Sequence, residues 1–241
     1  MRYVFVPAGF VADTEIELGT EEAHHLRVLR LDAGAEIGLV DGRGTRGRGR
    51  LLEVGKKGVR VVVLASALAA RPPAVHLMVP VADRDRMLWL AEKVTELELT
   101  TWQPILFARS RGVSPRGEGT GFAAKVEARM KAALEQSGGA WLPDLREERG
   151  LSDAVPHLDG GTPRIVLDPA GAPIARVVAA ALEPGITVVV GPEGGFEQSE
   201  LGMLENAGFV RASLGDSILR FETAAVAALS VVRAMVRGKL V

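Results

Sequence analysis

Apolar and polar positions alternate in short runs over roughly the first 70 residues, with glycines between the runs. RYVFV (2–6) and TEIEL (14–18) read as short strands, and EEAHHLRVLR (21–30) sets Ala23, Leu26 and Leu29 on one side of a helix. AEIGLVDG (35–42) predicts a strand that stops on an Asp-Gly turn signal. RGRLLEVGKKGVRVVVLAS (48–66) predicts a hairpin whose turn spans Gly55 to Gly58. Short strands joined by glycine turns predict a small β-barrel over residues 1–70.

Pro72-Pro73 makes a stiff linker. Beyond it strand and helix patterns alternate, which predicts an α/β sheet over residues 73–241. VHLMVPV (75–81), TWQPILFA (101–108), RIVLD (164–168), ITVVVG (186–191) and FVRASLG (209–215) are the strands. DRMLWLAEKVTELEL (85–99) and residues 123–136 are helices, the second ending at Ser137-Gly138-Gly139. Residues 109–122 are polar and glycine-rich, too long for a plain connector. ETAAVAALSVVRAMVRGKL (222–240) predicts a helix buried on most sides, and a surface that apolar suggests a homodimer.

Composition narrows the chemistry. The 241 residues are 47% hydrophobic and 24% charged, with a net charge of −1, so any nucleic-acid contact must come from local clustering. With no cysteine, disulfides, thiolate metal sites and thiolate nucleophiles are excluded. The 4 histidines are too scattered to suggest zinc, and no metal is expected. No apolar run approaches the about 20 residues of a membrane span, and the N-terminus does not read as a signal peptide, so a cytoplasmic protein is expected. One local cluster does stand out. Between residues 41 and 60 lie Arg43, Arg46, Arg48, Arg50, Lys56, Lys57 and Arg60 against Asp41 and Glu53. This is either a solvated hairpin edge, where basic residues discourage strand-to-strand association, or a surface for a phosphate backbone.

Three loops end predicted strands: Leu167-Asp168-Pro169, the GPEGG turn at 191–195, and LGDSILRFET at 214–223. Ligands of open α/β sheets bind beyond the carboxyl ends of the strands. The GPEGG turn has neither the Gly-Lys-Ser/Thr of a nucleotide-phosphate loop nor a G-x-G-x-x-G fingerprint. Glu193 in its middle would repel a pyrophosphate, by on the order of 1–4 kcal/mol at about 4 Å. Gly191, Gly194 and Gly195 instead let backbone approach a flat group closely.

GPEGGF (191–196) with SLGDSILRFETA (213–224) resembles the cofactor site of the SPOUT methyltransferases, whose C-terminal chain forms a trefoil knot. HHLRVLRL (24–31), AEKVTELEL (91–99) and ALEQSGG (133–139) resemble one branch in particular, the bacterial small-subunit ribosomal RNA uridine-N3 methyltransferases. The resemblance covers nearly the whole chain. It implies a knotted α/β domain preceded by a PUA-like β-barrel, and S-adenosylmethionine as methyl donor. Two departures stand out: Glu98 occupies a position where the family generally has glycine, and Glu197 one where a serine-type helix cap is common.

The resemblance also implies site residues. Leu167, Leu214, Ile218 and Leu219 would enclose the adenine, with Pro169, Gly191, Pro192, Glu193, Gly194, Gly195, Gly215, Arg220 and Thr223 completing the cofactor site. Arg220 is the first catalytic candidate, since a guanidinium can stabilise negative charge on the uracil carbonyls, unless it forms a structural ion pair with Glu222 or Glu193. Arg2 is the second, and Glu222 would orient Arg220 or accept the proton. Arg27, Arg30, Arg43, Arg46, Arg48, Arg109 and Arg111 would contact the RNA backbone while the target base is flipped out. The rival expectations are another RNA methylation (ribose 2′-O or guanine N1) and a non-catalytic RNA-binding assembly protein.

Overall fold

A computed structural model describes residues 1–110, 120–158, 161–180 and 185–237. The chain divides into two units: residues 1–71 with 131–142, and residues 72–130 with those from 143 onward. The helix Thr120–Ser137 (α3, numbered below in chain order) runs through both, so the stretch after residue 130, which its place in the sequence assigns to the second domain, groups with the first unit.

The first unit contains β1 (Tyr3–Phe5), β2 (Glu15–Leu18), α1 (Thr20–Val28), β3 (Glu36–Val40), β4 (Thr45–Val54) and β5 (Val59–Leu68). The strands form one sheet in the order β1-β3-β4-β5-β2, antiparallel except for the β1–β3 pair. Its five strands and α1 all contribute to one core that includes Val4, Leu18, Leu26, Ile37, Leu39, Leu51 and Val61. Such a curled sheet around a single apolar core is the PUA-like barrel. The arginine–glycine string is the first half of β4, and pleating sorts it. Arg46, Arg48 and Arg50 are exposed, whereas Gly47 and Gly49 face inward. A Cβ on Gly47 would come within 2.5 Å of the Phe10 ring, and one on Gly49 within 2.5 Å of Val61. The glycines therefore make room for the core, and the arginines are what remains outside.

The second unit has β6 (Ala74–Pro80), α2 (Arg84–Glu96), β7 (Thr101–Leu106), α3, the two-residue strands β8 (Asp144–Leu145) and β9 (Arg149–Gly150), and α4 (Leu151–Ala154). It continues with β10 (Arg164–Pro173), α5 (Ile174–Ala179), β11 (Gly185–Val189), α6 (Gln198–Asn206), β12 (Phe209–Ser213) and α7 (Phe221–Arg237). Its sheet runs β12-β10-β11-β6-β7-β8, with β9 also on β7, and every pairing is parallel. A parallel sheet is covered on both faces, which is why Val188, Val189 and Val190 are all buried. Residues of α4 and α6 join Met78, Ile105, Val166 and Val189 in one core, while α7 packs against both α2 and α5, and α5 and α7 lie on the sheet.

Two details fix the end of α2 and the packing of α7. Asp83 caps α2, its Oδ1 accepting from the main-chain nitrogens of Asp85 (3.1 Å) and Arg86 (3.2 Å). At the other end Arg233 of α7, 6% exposed, donates to the carbonyls of Leu97 (3.1 Å), Pro73 (2.5 Å) and Glu98. A buried cation thus satisfies carbonyls that a helix C-terminus leaves open. Helix α7 buries a stripe of Phe221, Ala225, Ala228, Leu229 and Val232, while Val226, Ala227 and Val231 stay half-buried. Burial is therefore on one face, not on most sides as the composition suggested.

Candidate functional site

A bulge within β10, where the sequence predicted a loop ending the strand at 167–169, and the loops after β11 and β12 meet around one cleft of about 400 Å3. Each reaches it by a particular backbone device. Strand β10 leaves and rejoins β12: Leu167 and Ala172 both lie opposite Ala212, and residues 168–171 bulge between them. Gly171 sits where a Cβ would be 2.5 Å from the Ala212 nitrogen and 2.6 Å from the Arg211 carbonyl carbon, so only glycine fits this crossing. After β11 the chain turns through Pro192–Gly195, closed by the Gly195 nitrogen donating to the Pro192 carbonyl at 2.8 Å. Gly195 adopts φ 72°. A Cβ on Gly191 would be 2.7 Å from the Phe196 ring.

The cleft collects most of the cofactor residues expected from the sequence. Leu167, Pro169, Gly191, Pro192, Glu193, Gly194, Gly195, Leu214, Gly215, Ile218 and Leu219 line it, joined by Asp168, Phe196, Ser213 and Phe221. Arg220 and Thr223 are not among the lining residues. Ile218 is 89% exposed and Leu219 38%, so this wall is open to solvent. The walls are aliphatic and the floor offers main-chain amides and carbonyls, a surface suited to a flat ring with a polar edge.

The charges around the cleft are arranged differently from the sequence expectation. Arg220 is exposed, and its side chain makes no ion pair or hydrogen bond among the described residues. Both carboxylates considered as its partners are instead held by Arg86 of α2, which sequence spacing did not single out. Arg86 Nη1 donates to Glu193 Oε1, and Arg86 Nε lies 3.8 Å from Glu222 Oε1. Glu222 is 9% exposed, and its Oε2 is buried without a hydrogen-bond partner among the described residues.

A second arginine braces the same turn. Arg109 Nη1 donates to the Gly194 carbonyl at 2.6 Å. Next to it, buried Glu200 accepts from the Ala108 nitrogen and from the Glu197 nitrogen, both at 2.8 Å. Glu197 is the N-cap of α6 and Glu200 its third residue, forming a capping box; the acid at the cap position is thereby accommodated. Phe107 and Phe196 pack edge to face, 5.3 Å between centroids. On the opposite side Arg211 bridges Glu205 (2.7 Å) and Asp168 (3.4 Å), and Asp168 Oδ1 accepts from the Ala170 nitrogen at 2.7 Å.

In the first unit the arginines expected on RNA are all exposed, but several are engaged. Arg27 Nε donates to its own helix at Ala23 (3.2 Å), and Arg30 holds φ 56° just past the end of α1. Arg43 donates to the Pro7 carbonyl (2.9 Å), Arg46 to the Tyr3 hydroxyl (3.2 Å), and Arg48 lies 3.8 Å from Glu36. Arg2 also belongs to this unit and is exposed. Arg111 lies outside the described residues.

Comparisons with known proteins agree with this geometry. The family described as an RNA methyltransferase domain matches residues 70–233, and the RNA methyltransferase PUA domain matches residues 18–64. The chain is 29% identical to ribosomal RNA small subunit methyltransferase E of Mycobacterium bovis over 231 residues, covering 89% of this chain and 84% of that one. It is 27% identical to the protein of the same name from Synechocystis, covering 98% of this chain and 78% of that one. Among solved structures, a ribosomal RNA small subunit methyltransferase E from Neisseria gonorrhoeae bound to S-adenosylmethionine superposes with a TM-score of 0.86 at 25% identity, covering 98% of each chain.

Proposed function

The chain belongs to the RNA methyltransferase family, and from that membership we propose that it methylates small-subunit (16S) ribosomal RNA from S-adenosylmethionine, at N3 of a uridine. One observation carries the cofactor assignment: the bulge of β10 and the loops ending its two neighbours β11 and β12 line a single cleft of about 400 Å3, within the range of small-molecule sites. The residues present fit that donor. Aliphatic Leu167, Leu214 and Leu219 suit an adenine face, main-chain groups suit its edge, and the turn carries an acid and no lysine.

When bound, the sulfonium supplies a methyl group that moves to the uracil nitrogen as its bond to sulfur breaks. The chain must then stabilise negative charge on the uracil carbonyls as the N3 proton passes to water. Arg220 is assigned that role: its guanidinium follows the lining residue Leu219 and is free of partners among the described residues. Arg2 remains the second candidate. Glu222 is assigned a supporting place rather than contact with the base, because its carboxylate is enclosed and faces Arg86.

The strand order β12-β10-β11, which seats the last strand beside β10, supports reading the three loops as those of a trefoil knot. The half-buried Val226, Ala227 and Val231 on α7 support a homodimer. A cytoplasmic place accords with a ribosomal substrate, and no described helix is long and apolar enough to cross a membrane. The barrel arginines are proposed to contact phosphates without reading sequence.

The test is to incubate the protein with labelled S-adenosylmethionine and either assembled small subunits or naked ribosomal RNA, then map the modified nucleoside. Label on uridine N3 is expected. Label on ribose or guanine, or none on RNA, overturns the assignment.

A further inference from the structure

We propose that Glu193, in the middle of the GPEGG turn, is a positioning residue, and that the Arg86–Glu193 ion pair sets the conformation of the turn. This rests on the cofactor reading above and departs from the simpler idea that the carboxylate faces the positive sulfur of the ligand.

The geometry of Arg86 carries the inference. Arg86 is fixed from behind, because its main-chain nitrogen is bound by the Asp83 cap at 3.2 Å in the first turn of α2. Its side chain, 32% exposed, donates to Glu193, which is 45% exposed, and its Nε lies 3.8 Å from Glu222 Oε1. One guanidinium therefore serves two acids on two elements that bound the cleft: the turn after β11 and the first turn of α7. A carboxylate whose charge is already matched attracts a second cation less. Without the guanidinium the two acids would instead face each other as like charges, and the turn, as the more exposed partner, would be the part to move. Glu193 lines the cleft and Arg86 does not, so Arg86 shapes the cleft through the turn.

The ligand itself offers the discriminating comparison. S-adenosylmethionine carries a positive sulfur and S-adenosylhomocysteine a neutral one, and the rest of the two molecules is shared apart from the methyl group. If Glu193 positions the turn, Glu193→Gln weakens both ligands by the same factor, about fivefold, or roughly 1 kcal/mol. Arg86→Gln weakens both at least as much, and the double variant is no worse than Arg86→Gln alone. A loss confined to S-adenosylmethionine in Glu193→Gln, or full affinity in Arg86→Gln, overturns the proposal.

Hydrogen exchange in the ligand-free protein provides a readout that does not depend on the cofactor. The Gly195 amide, bonded to Pro192, should exchange faster in Arg86→Gln, while the Val190 amide, bonded to Met78 within the sheet, keeps its wild-type rate. Arg86→Lys should restore part of the Gly195 protection and shows that the effect is one of charge. Unchanged Gly195 exchange in Arg86→Gln sinks the idea. Should the wild-type protein bind neither ligand, the cofactor reading fails, and Gly195 exchange still decides whether the pair holds the turn.

Discussion

Arg109 donates to the main-chain oxygen of Gly194 at 2.6 Å. The contact joins the segment just after β7 to the turn after β11, and it engages a side chain that the sequence assigned to RNA. Arg109→Ala should therefore loosen the cofactor cleft. A three- to tenfold loss of S-adenosylmethionine affinity is expected in calorimetry, about 1 kcal/mol for a charge-assisted hydrogen bond at the surface. An unchanged affinity, with a weaker salt dependence of RNA binding, would return Arg109 to the RNA.

The exposed row on β4 should behave differently. Arg46→Ala should leave cofactor affinity intact and lower the slope of log affinity for RNA against log salt by about 1. Arg48 shares Glu36 with Arg50, which lies 3.1 Å from the same carboxylate, so its removal should cost less. Filter binding at several salt concentrations measures both.

Gly171→Ala should be severe for its size. The added methyl would lie 2.5 Å from the Ala212 nitrogen, and backbone cannot yield there without parting β10 from β12. A loss of about 1–3 kcal/mol is expected in denaturant titration, with cofactor binding falling in parallel.

Glu98 follows the C-terminus of α2 at φ 58°, a conformation that costs a side chain about 1–2 kcal/mol. Glu98→Gly removes that cost and keeps the carbonyl that accepts from Arg233. Less the added freedom of the unfolded chain, a gain of about 0.5–1 kcal/mol is expected in thermal melts.

Burial pushes the Glu135 carboxyl above the usual glutamate value, partly offset by the Phe5 nitrogen, which donates to it at 2.8 Å. The folded state thus holds this proton more tightly than the unfolded one. Glu135 therefore favours folding below the ordinary glutamate pKa, and that contribution is lost as pH rises through the raised value. Glu135→Gln should remove this loss while keeping an acceptor for Phe5. Melting temperatures taken from mildly acid to neutral pH should fall less in the variant than in wild type.

Residues adjacent in sequence made much of this legible. The hairpin of β4 and β5, the alternation of strand and helix, and the turn at 191–195 follow from local pattern, whereas 167–169 reads as the end of a strand that in fact bulges and runs on to Pro173, and α7 already begins at Phe221 within the loop expected at 214–223. Glu98 was visible as a departure at a position that favours glycine, though its positive φ was not. What escaped depends on pairing across long stretches. Nothing near residue 86 announces that its guanidinium meets residues 193 and 222, because α2 and the two loops are brought together only by the order of the sheet. The two-residue strands β8 and β9 are too short to leave a period, and α5 is a single apolar turn and a half after a strand with no break between them.

The detour of β10 has a consequence for how the chain can change. One residue of β12, Ala212, is partner to both Leu167 and Ala172, so the ladder resumes as though the four residues between them had never been added. Their number, more than their identity, sets how far the lip of the cleft stands from the sheet. A single deletion there would put Ala172 and Pro173, the two residues paired after the detour, out of register with Ala212 and Ser213, whereas exchanging one exposed side chain for another would leave the register untouched. Apart from Gly171, the lip should accordingly be variable in composition and fixed in length.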